Sequence, residues 1–310
     1  MIEQTPRVSF GVPVRNGEDC IAKCLDSILA QDHTDFEVVV SDNASTDRTP
    51  EILQEYAAKD ERIRLLLRNR NVGIIENFNG LVHQARGEFF RWVGADDWLE
   101  PSYASDCLNA LDAQPDAISA TSYFQLHYED GGVAYQEYDG EVVDSPLPER
   151  RLARMLWFFH AGPSVYEPNY SLIRRQALLD VGVLPIHAGN DWILSTRLSL
   201  SGRMIHVPKM LFHRSFPIGA NRNDESFRKR LNPERWKELR PSLWKLSRAF
   251  LDAVDAADLD GRAVLRCRLS ILGFSVREAR RRTSIHLRRF RRESLGLTRS
   301  RFGLDPAPRS

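Results

Sequence analysis

Neither a Cys-x-x-Cys pair nor histidine at zinc-like spacing beside a cysteine occurs in this chain. Its four cysteines, Cys20, Cys24, Cys107 and Cys267, are therefore read as reduced core residues rather than as a disulfide or metal framework. Also missing is any stretch long and apolar enough to span a bilayer. The opening Met-Ile-Glu-Gln-Thr-Pro-Arg has neither the basic start nor the apolar core of a secretory signal. These absences predict a cytoplasmic protein whose membrane contact, if any, is peripheral at the inner face. No Gly-x-Gly-x-x-Gly follows the first apolar run and no Gly-x-x-x-x-Gly-Lys occurs anywhere, which removes dinucleotide-fingerprint and P-loop chemistry. Any bound nucleotide must then be held by side chains and a metal.

What the chain has is an ordinary globular composition, 310 residues and 42% hydrophobic, enough for a large domain with an appendage. The net charge of +1 conceals an asymmetry: eleven Arg from Arg277 to Ser310 face only Glu278, Glu293 and Asp305, so that segment carries +8 and the rest −7. Such a cluster suits an anionic surface or a solvated end; no nucleic-acid reading module accompanies it, so no specific nucleic acid is expected.

Val8–Val14 reads as a buried strand and Ile21, Cys24, Leu25, Ile28 and Leu29 as one helical face. Strands at 36–40 and 63–67 follow, with a helix from about Pro50 capped by Ser45 or Thr46, and another over 75–85. Glu88–Val93 has strand composition and runs into Gly94-Ala95-Asp96-Asp97, two adjacent carboxylates at a strand's carboxyl end. Read alone, that pair is a metal-and-phosphate site or a turn with one acid capping the next helix. Alternating strands and helices predict βαβ units and a mostly parallel sheet. Asn16, Asp42, Asn71 and Asp96 then share one sheet edge, where ligands bind in open α/β sheets.

Val12-Pro13-Val14-Arg15-Asn16-Gly17-Glu18, the segment Val39 to Thr49, Asn71-Val72-Gly73, Asn79-Gly80, Ala85-Arg86-Gly87-Glu88 and Ala95-Asp96-Asp97 together resemble family 2 glycosyltransferases of the GT-A fold, over roughly residues 8–216. The resemblance implies an α/β fold with a mixed, mostly parallel sheet flanked by helices, and inverting, Mg²⁺- or Mn²⁺-assisted transfer of a sugar from a nucleotide-sugar to a hydroxyl. By position it places Pro13, Val14, Asn16, Asp42, Asn43, Asn71, Ala95 and Asp96 at the donor, UDP-sugar favoured over dTDP- or GDP-sugar. It gives Asp96, Asp97 and His213 to the metal, and Asp191 to the general base. Trp192, Asn169 and Tyr170 fall on the side of a glycan or lipid-linked acceptor. Three departures stand out: Gly94 where many members carry an acid, Phe78 where many carry Arg, and Asn190 where Glu is usual. Arg68, Arg70 or Arg91 are the candidates to replace the missing Arg. These departures motivate a second reading, a nucleotide-sugar-binding or partner-binding protein without turnover.

Residues 1–220 are expected to form the catalytic domain, 1–115 its donor half and 116–220 its acceptor half, with a helical extension over 221–293 and a disordered basic tail over 294–310. Tyr135–Pro148 reads as a flexible excursion, Arg151–Phe159 as a short aromatic helix, and 204–207 and 210–214 as two closing strands. In the extension, one interrupted helix over 236–250 and another over 264–287 fit either a membrane interface or packing on the core.

Overall fold

Two seven-residue runs with every residue buried, β1 (Val8–Val14) and β2 (Phe36–Asp42), form the centre of the parallel sheet. The structure, a computed structural model, describes residues 5–136, 138, 142–161, 168–216 and 225–294. β1 pairs in parallel with β2 and with β4 (Phe89–Trp92), and β2 with β3 (Ile63–Leu67). The crossovers are α1 (Ile21–Leu29), α2 (Thr49–Lys59) and α3 (Ile74–Gln84). In register, Val14 lies opposite Asp42 and Asp42 opposite Leu67. The loops that follow β1, β2, β3 and β4 therefore share one sheet edge, as the sequence pattern requires.

After β4 the chain makes β5 (Trp98–Leu99), α4 (Tyr103–Asp112), β6 (Ala117–Tyr128), β7 (Val133–Gln136), α5 (Pro148–Ala161), a 3-10 turn (Pro168–Tyr170), β8 (Leu172–Arg174), α6 (Arg175–Asp180), α7 (Asn190–Ser201) and β9 (Arg203–Phe216). The strand order is β3-β2-β1-β4-β8-β6-β9-β5, with β7 paired to β6; β8, β5 and β7 are the antiparallel members. α8 (Glu225–Leu231), α9 (Leu243–Ala256) and α10 (Gly261–Ser294) complete the described chain.

Strand alternation splits the core into two. Val8, Phe10, Val12, Val38, Val40 and Phe89 pack with α1, α2 and α4; Val39, Phe90 and Trp92 pack with α3, α5, α6 and α7. A third cluster lies outside the sheet: Leu152 and Leu156 of α5 and Ile193 and Leu200 of α7 meet Leu246 and Phe250 of α9 and Cys267, Ile271 and Phe274 of α10. The inner faces of the C-terminal helices are thus packed on the core.

Several local expectations change. Neither Ser45 nor Thr46 caps α2; Asp47 does the nearby work, accepting hydrogen bonds from the Thr49 amide and hydroxyl, because Ser45 is committed to Asp42. The two closing strands are one, β9, interrupted at Pro208-Lys209, where its register with β6 shifts; proline has no amide to give the ladder. In 135–148, Tyr138, Val143 and Ser145 are buried and the Met204 amide bonds the Val143 carbonyl, so that stretch is anchored rather than free; residues 137 and 139–141 lie outside the described set. Helix starts only at Leu243, with the Ser242 hydroxyl accepting from the Lys245 amide, and α10 outruns the expected 264–287 at both ends. The tail beyond 294 is outside the described residues.

Candidate active site

β4 ends at Trp92, and Gly94 to Asp97 turn back on themselves through a bond from the Asp97 amide to the Gly94 carbonyl. Neither acid caps α4. Instead both carboxylates fold over Gly94: a Cβ there would lie 2.6 Å from Asp97 Oδ2 and 3.0 Å from Asp96 Oδ1. The glycine is what lets two like charges converge on one point. Asp97 is buried, its Oδ1 accepting from the Ser215 amide, while the Ser215 hydroxyl donates to the Asp96 carbonyl. Burial pushes the Asp97 carboxyl up to about 7, Arg214 opposing and Asp96 adding to the rise. Asp96 opens to solvent, yet the protein around it also raises its pKa, with Arg214 opposing. Two oxygen donors with costly charge fit a hard divalent ion that takes its other ligands from phosphate and water. Among the described residues no group of three His, Cys, Asp or Glu side chains forms a fuller metal-ligand set.

His213 is elsewhere. Its ring stacks on Trp98 at 5.0 Å, with Nε2 at 2.6 Å from Glu100 and Nδ1 at 3.2 Å from His127. Both ring nitrogens thus have protein partners. The next residue, Arg214, faces the other way, its guanidinium 4.8 Å from the Tyr170 ring and its charge acting on both carboxylates. On a strand, neighbours point to opposite sides, so His213 and Arg214 face different surroundings. Of the three arginine candidates, Arg91 also acts on Asp97, though less than Arg214 does. Arg68 bonds Ser41 and Asn77, Arg70 pairs with Glu234, and Arg91 is buried between Tyr103 and Phe212.

At the same edge, the loops after β1 and β2 are laced together. Asn16 takes a left-handed backbone (φ 54°), with its amide donating to Ser45 and its side-chain oxygen accepting from the Thr46 amide. Ala44 is left-handed too (φ 57°), a strain held by the surrounding bonds. The Asp42 carboxylate, buried at the end of β2, accepts from the amide and hydroxyl of Ser45. Pro13 and Val14 line up beside Ser41 and Asp42. Asn43 is a clasp: its side chain donates to Asn71 at 2.9 Å and accepts from the Val72 amide, its amide bonds the Val14 carbonyl, and it is buried. Its polar groups hold the loop after β3 rather than facing solvent. Asn71 Oδ1 also accepts from the Gly73 amide.

The predicted acceptor residues gather around a separate cavity of about 330 Å³. Asn169, Tyr170, Asp191, Trp192 and Arg214 line it, with Phe78, Trp92 and Phe158 among its apolar walls. Asp191 stands in the first turn of α7 and accepts a hydrogen bond from the Trp192 amide; Asn169 donates to the Asp191 carbonyl. Trp192 stacks on Phe159 at 4.7 Å and meets Phe274 of α10 edge-on, so much of its surface is spent on packing. Phe78 supplies wall rather than charge, its carbonyl accepting from the Trp92 indole at 3.0 Å. Arg214 belongs to both places, lining the cavity and acting on the carboxylate pair.

Residues 9–181 match the sequence model of Glycosyl transferase family 2. The chain belongs to that family. It is 33% identical over 210 residues to the uncharacterised protein Rv1520 of Mycobacterium tuberculosis, covering 63% of this chain and 55% of that one. It is 27% identical over 216 residues to the glycosyltransferase GlyA of Streptococcus pneumoniae, covering 66% of this chain and 30% of GlyA. The chain therefore spans about half or less of these relatives' lengths. Among solved structures, that of Staphylococcus aureus TarS 1–349 with UDP-GlcNAc superposes with a TM-score of 0.64 at 20% identity, over 86% of this chain and 72% of that one. The mannosyltransferase PcManGT of Pyrobaculum calidifontis, with GDP-Man and Mn²⁺, gives 0.56 at 17% identity over 96% and 82%. These likenesses establish the GT-A fold of the family 2 chain, a mixed and mostly parallel sheet flanked by helices. No helix among the described residues is long and apolar enough to cross a membrane.

Proposed function

We propose that this chain transfers a sugar from a nucleotide diphospho-sugar to an acceptor hydroxyl with inversion, using Asp191 as general base. The observation that carries the reading is the convergence of Asp96 and Asp97 over Gly94, at the sheet edge that also bears Asp42. Asp96 and Asp97 would hold Mg²⁺ or Mn²⁺, whose positive charge would offset the charge developing on the departing diphosphate. Asp42, with Asn16, Asn71, Pro13, Val14 and Ala95 around it, receives the nucleoside. A carboxylate accepts hydrogen bonds well from a base or ribose. Arg214 faces both carboxylates and offsets their repulsion. For an inverting displacement the acceptor hydroxyl loses its proton as it attacks, and Asp191 in the neighbouring cavity is the carboxylate available to take it. The aromatic walls of that cavity suit a glycan face or the apolar part of a lipid-linked acceptor.

The structures of relatives with UDP-GlcNAc and with GDP-Man and Mn²⁺ support the nucleotide-sugar class. A thermal-shift screen of UDP-, dTDP- and GDP-sugars with Mn²⁺, followed by product detection, tests the proposal. Stabilisation by at least one donor and formation of a glycosylated product are expected, a UDP-sugar leading. Stabilisation with neither transfer nor donor hydrolysis would assign the chain to binding without turnover. No stabilisation by any of them would remove the donor site.

A further inference from the structure

α10 is apolar on two opposite sides. Its inner side carries Ala263, Cys267, Ile271 and Phe274, all buried, against α5 and α9. Round the helix from these, Leu265, Leu269, Leu272 and Val276 recur at i, i+4, i+7 and i+11 and are 60%, 57%, 60% and 44% exposed. At 1.5 Å per residue the row is about 16 Å long. A continuous aliphatic row on a surface helix marks a contact rather than a solvated face.

The flanks of the row indicate what it contacts. Its four-three-four spacing is that of a coiled-coil seam, which makes a second copy of α10 the first occupant to weigh. Beside the seam stand Arg266, Gly273 and Arg280 on one side and Arg268, Ser275 and Arg282 on the other. Two copies would bring basic flanks together with no acid to pair across the seam. From Gly261 to Ser294 eleven Arg stand against only Glu278 and Glu293, and Glu278 is buried. Arg266, Arg268 and Arg282 are paired with Glu149, Asp255 and Glu278, while Arg262 and Arg280 are exposed at the edges of the row.

We propose that the outer side of α10 docks on an anionic lipid bilayer, with the aliphatic row at the acyl boundary and the arginines among the headgroup phosphates. Durable attachment needs two signals, and this helix offers both: a buried apolar strip and a basic cluster. Docking involves no nucleotide, so it stands or falls separately from the transferase reading.

The test is co-sedimentation of the whole chain with vesicles of equimolar phosphatidylglycerol and phosphatidylcholine, and with phosphatidylcholine alone. Binding to the first that weakens as salt rises, and little to the second, is expected. Leu269→Gln with Leu272→Gln removes exposed side chains, so melting should be unchanged while vesicle affinity drops about tenfold or more. Arg262→Glu with Arg280→Glu leaves the row intact and should weaken binding to the anionic vesicles as well. Val133→Gln, at an exposed position on β7, should change nothing. Equal binding to both vesicle types, no binding, or either double variant binding like the parent would overturn the proposal. A vesicle-independent dimer that Leu269→Gln with Leu272→Gln converts to monomer would assign the row to a second copy instead.

Discussion

A methyl group at position 94 has nowhere to go except into the carboxylates folded over it. Gly94→Ala should therefore push Asp96 and Asp97 apart rather than unfold the sheet, because the atoms it meets are side-chain ends. Calorimetry should show Mn²⁺-dependent nucleotide affinity falling by about tenfold or more, the loss of roughly one charged contact, with melting little changed. Asp96→Asn should weaken the same affinity, and unchanged binding would count against its metal role. Asp191→Asn should leave it intact while lowering transfer by about two to four orders of magnitude; near-normal turnover would remove Asp191 as base. Asp42 and Asp96 stood out as candidates in the sequence because each stands where a strand ends, and punctuation of that kind survives without contacts; Asp191 became a candidate only through the family resemblance. Arg214, the clasp role of Asn43 and the commitment of His213 to Glu100 and His127 were not legible. Which way a side chain faces on β9, and how an amide spends its hydrogen bonds, are settled by partners far away in the chain.

Between α7 and the C-terminal helices, packing explains what composition left open. Phe274 of α10 is fully buried against Trp192, Phe159 and Phe250, so Phe274→Ala should cost ~3–5 kcal/mol in denaturant titration. Because Trp192 adjoins Asp191, that variant should lose turnover more than donor affinity. Farther along α10, burial alone would raise the Glu278 carboxyl, but hydrogen bonds from Arg281 and Arg282 outweigh it and hold its pKa below the ordinary 4.5. A depressed carboxylate stabilises the fold above the ordinary value and loses that contribution as pH falls through the depressed one. The stability gap between the parent and Glu278→Gln should thus shrink as pH is lowered below about 4.5, measured by melting at each pH. Equal gaps at neutral and acid pH would mean the two arginines do not hold that carboxylate. The apolar faces of these helices were visible in the sequence; their exact ends were not, since the cap at Ser242 and the continuation of α10 depend on neighbours and on a long Arg-rich run with little periodic signal.

As a whole, the molecule is a sheet between two helical layers with a further pair of helices bolted outside one of them. Ending the chain at Arg240 would bare Leu152, Leu156, Ile193 and Leu200 at once. Such a truncation should express as aggregate or show rapid amide exchange through α5 and α7, and a monomer with parental nucleotide affinity would show the outer pair to be dispensable. The α/β architecture with its mostly parallel sheet was readable from strand and helix periods, because a parallel sheet buried on both faces leaves long apolar runs that few other architectures require, whereas the GT-A fold itself was implied by the family resemblance. The close approach of Asp96 and Asp97 over Gly94 carries a last consequence, for anyone exchanging segments between members of the family. An acid at this position would meet its neighbours' oxygens at once, so Gly94→Asp should displace the Asp96 and Asp97 carboxylates further than Gly94→Ala does, because it adds a third like charge to the turn. Positions 94, 96 and 97 are thus one crowded unit, and an exchange at any of them has to be judged by what it does to the other two.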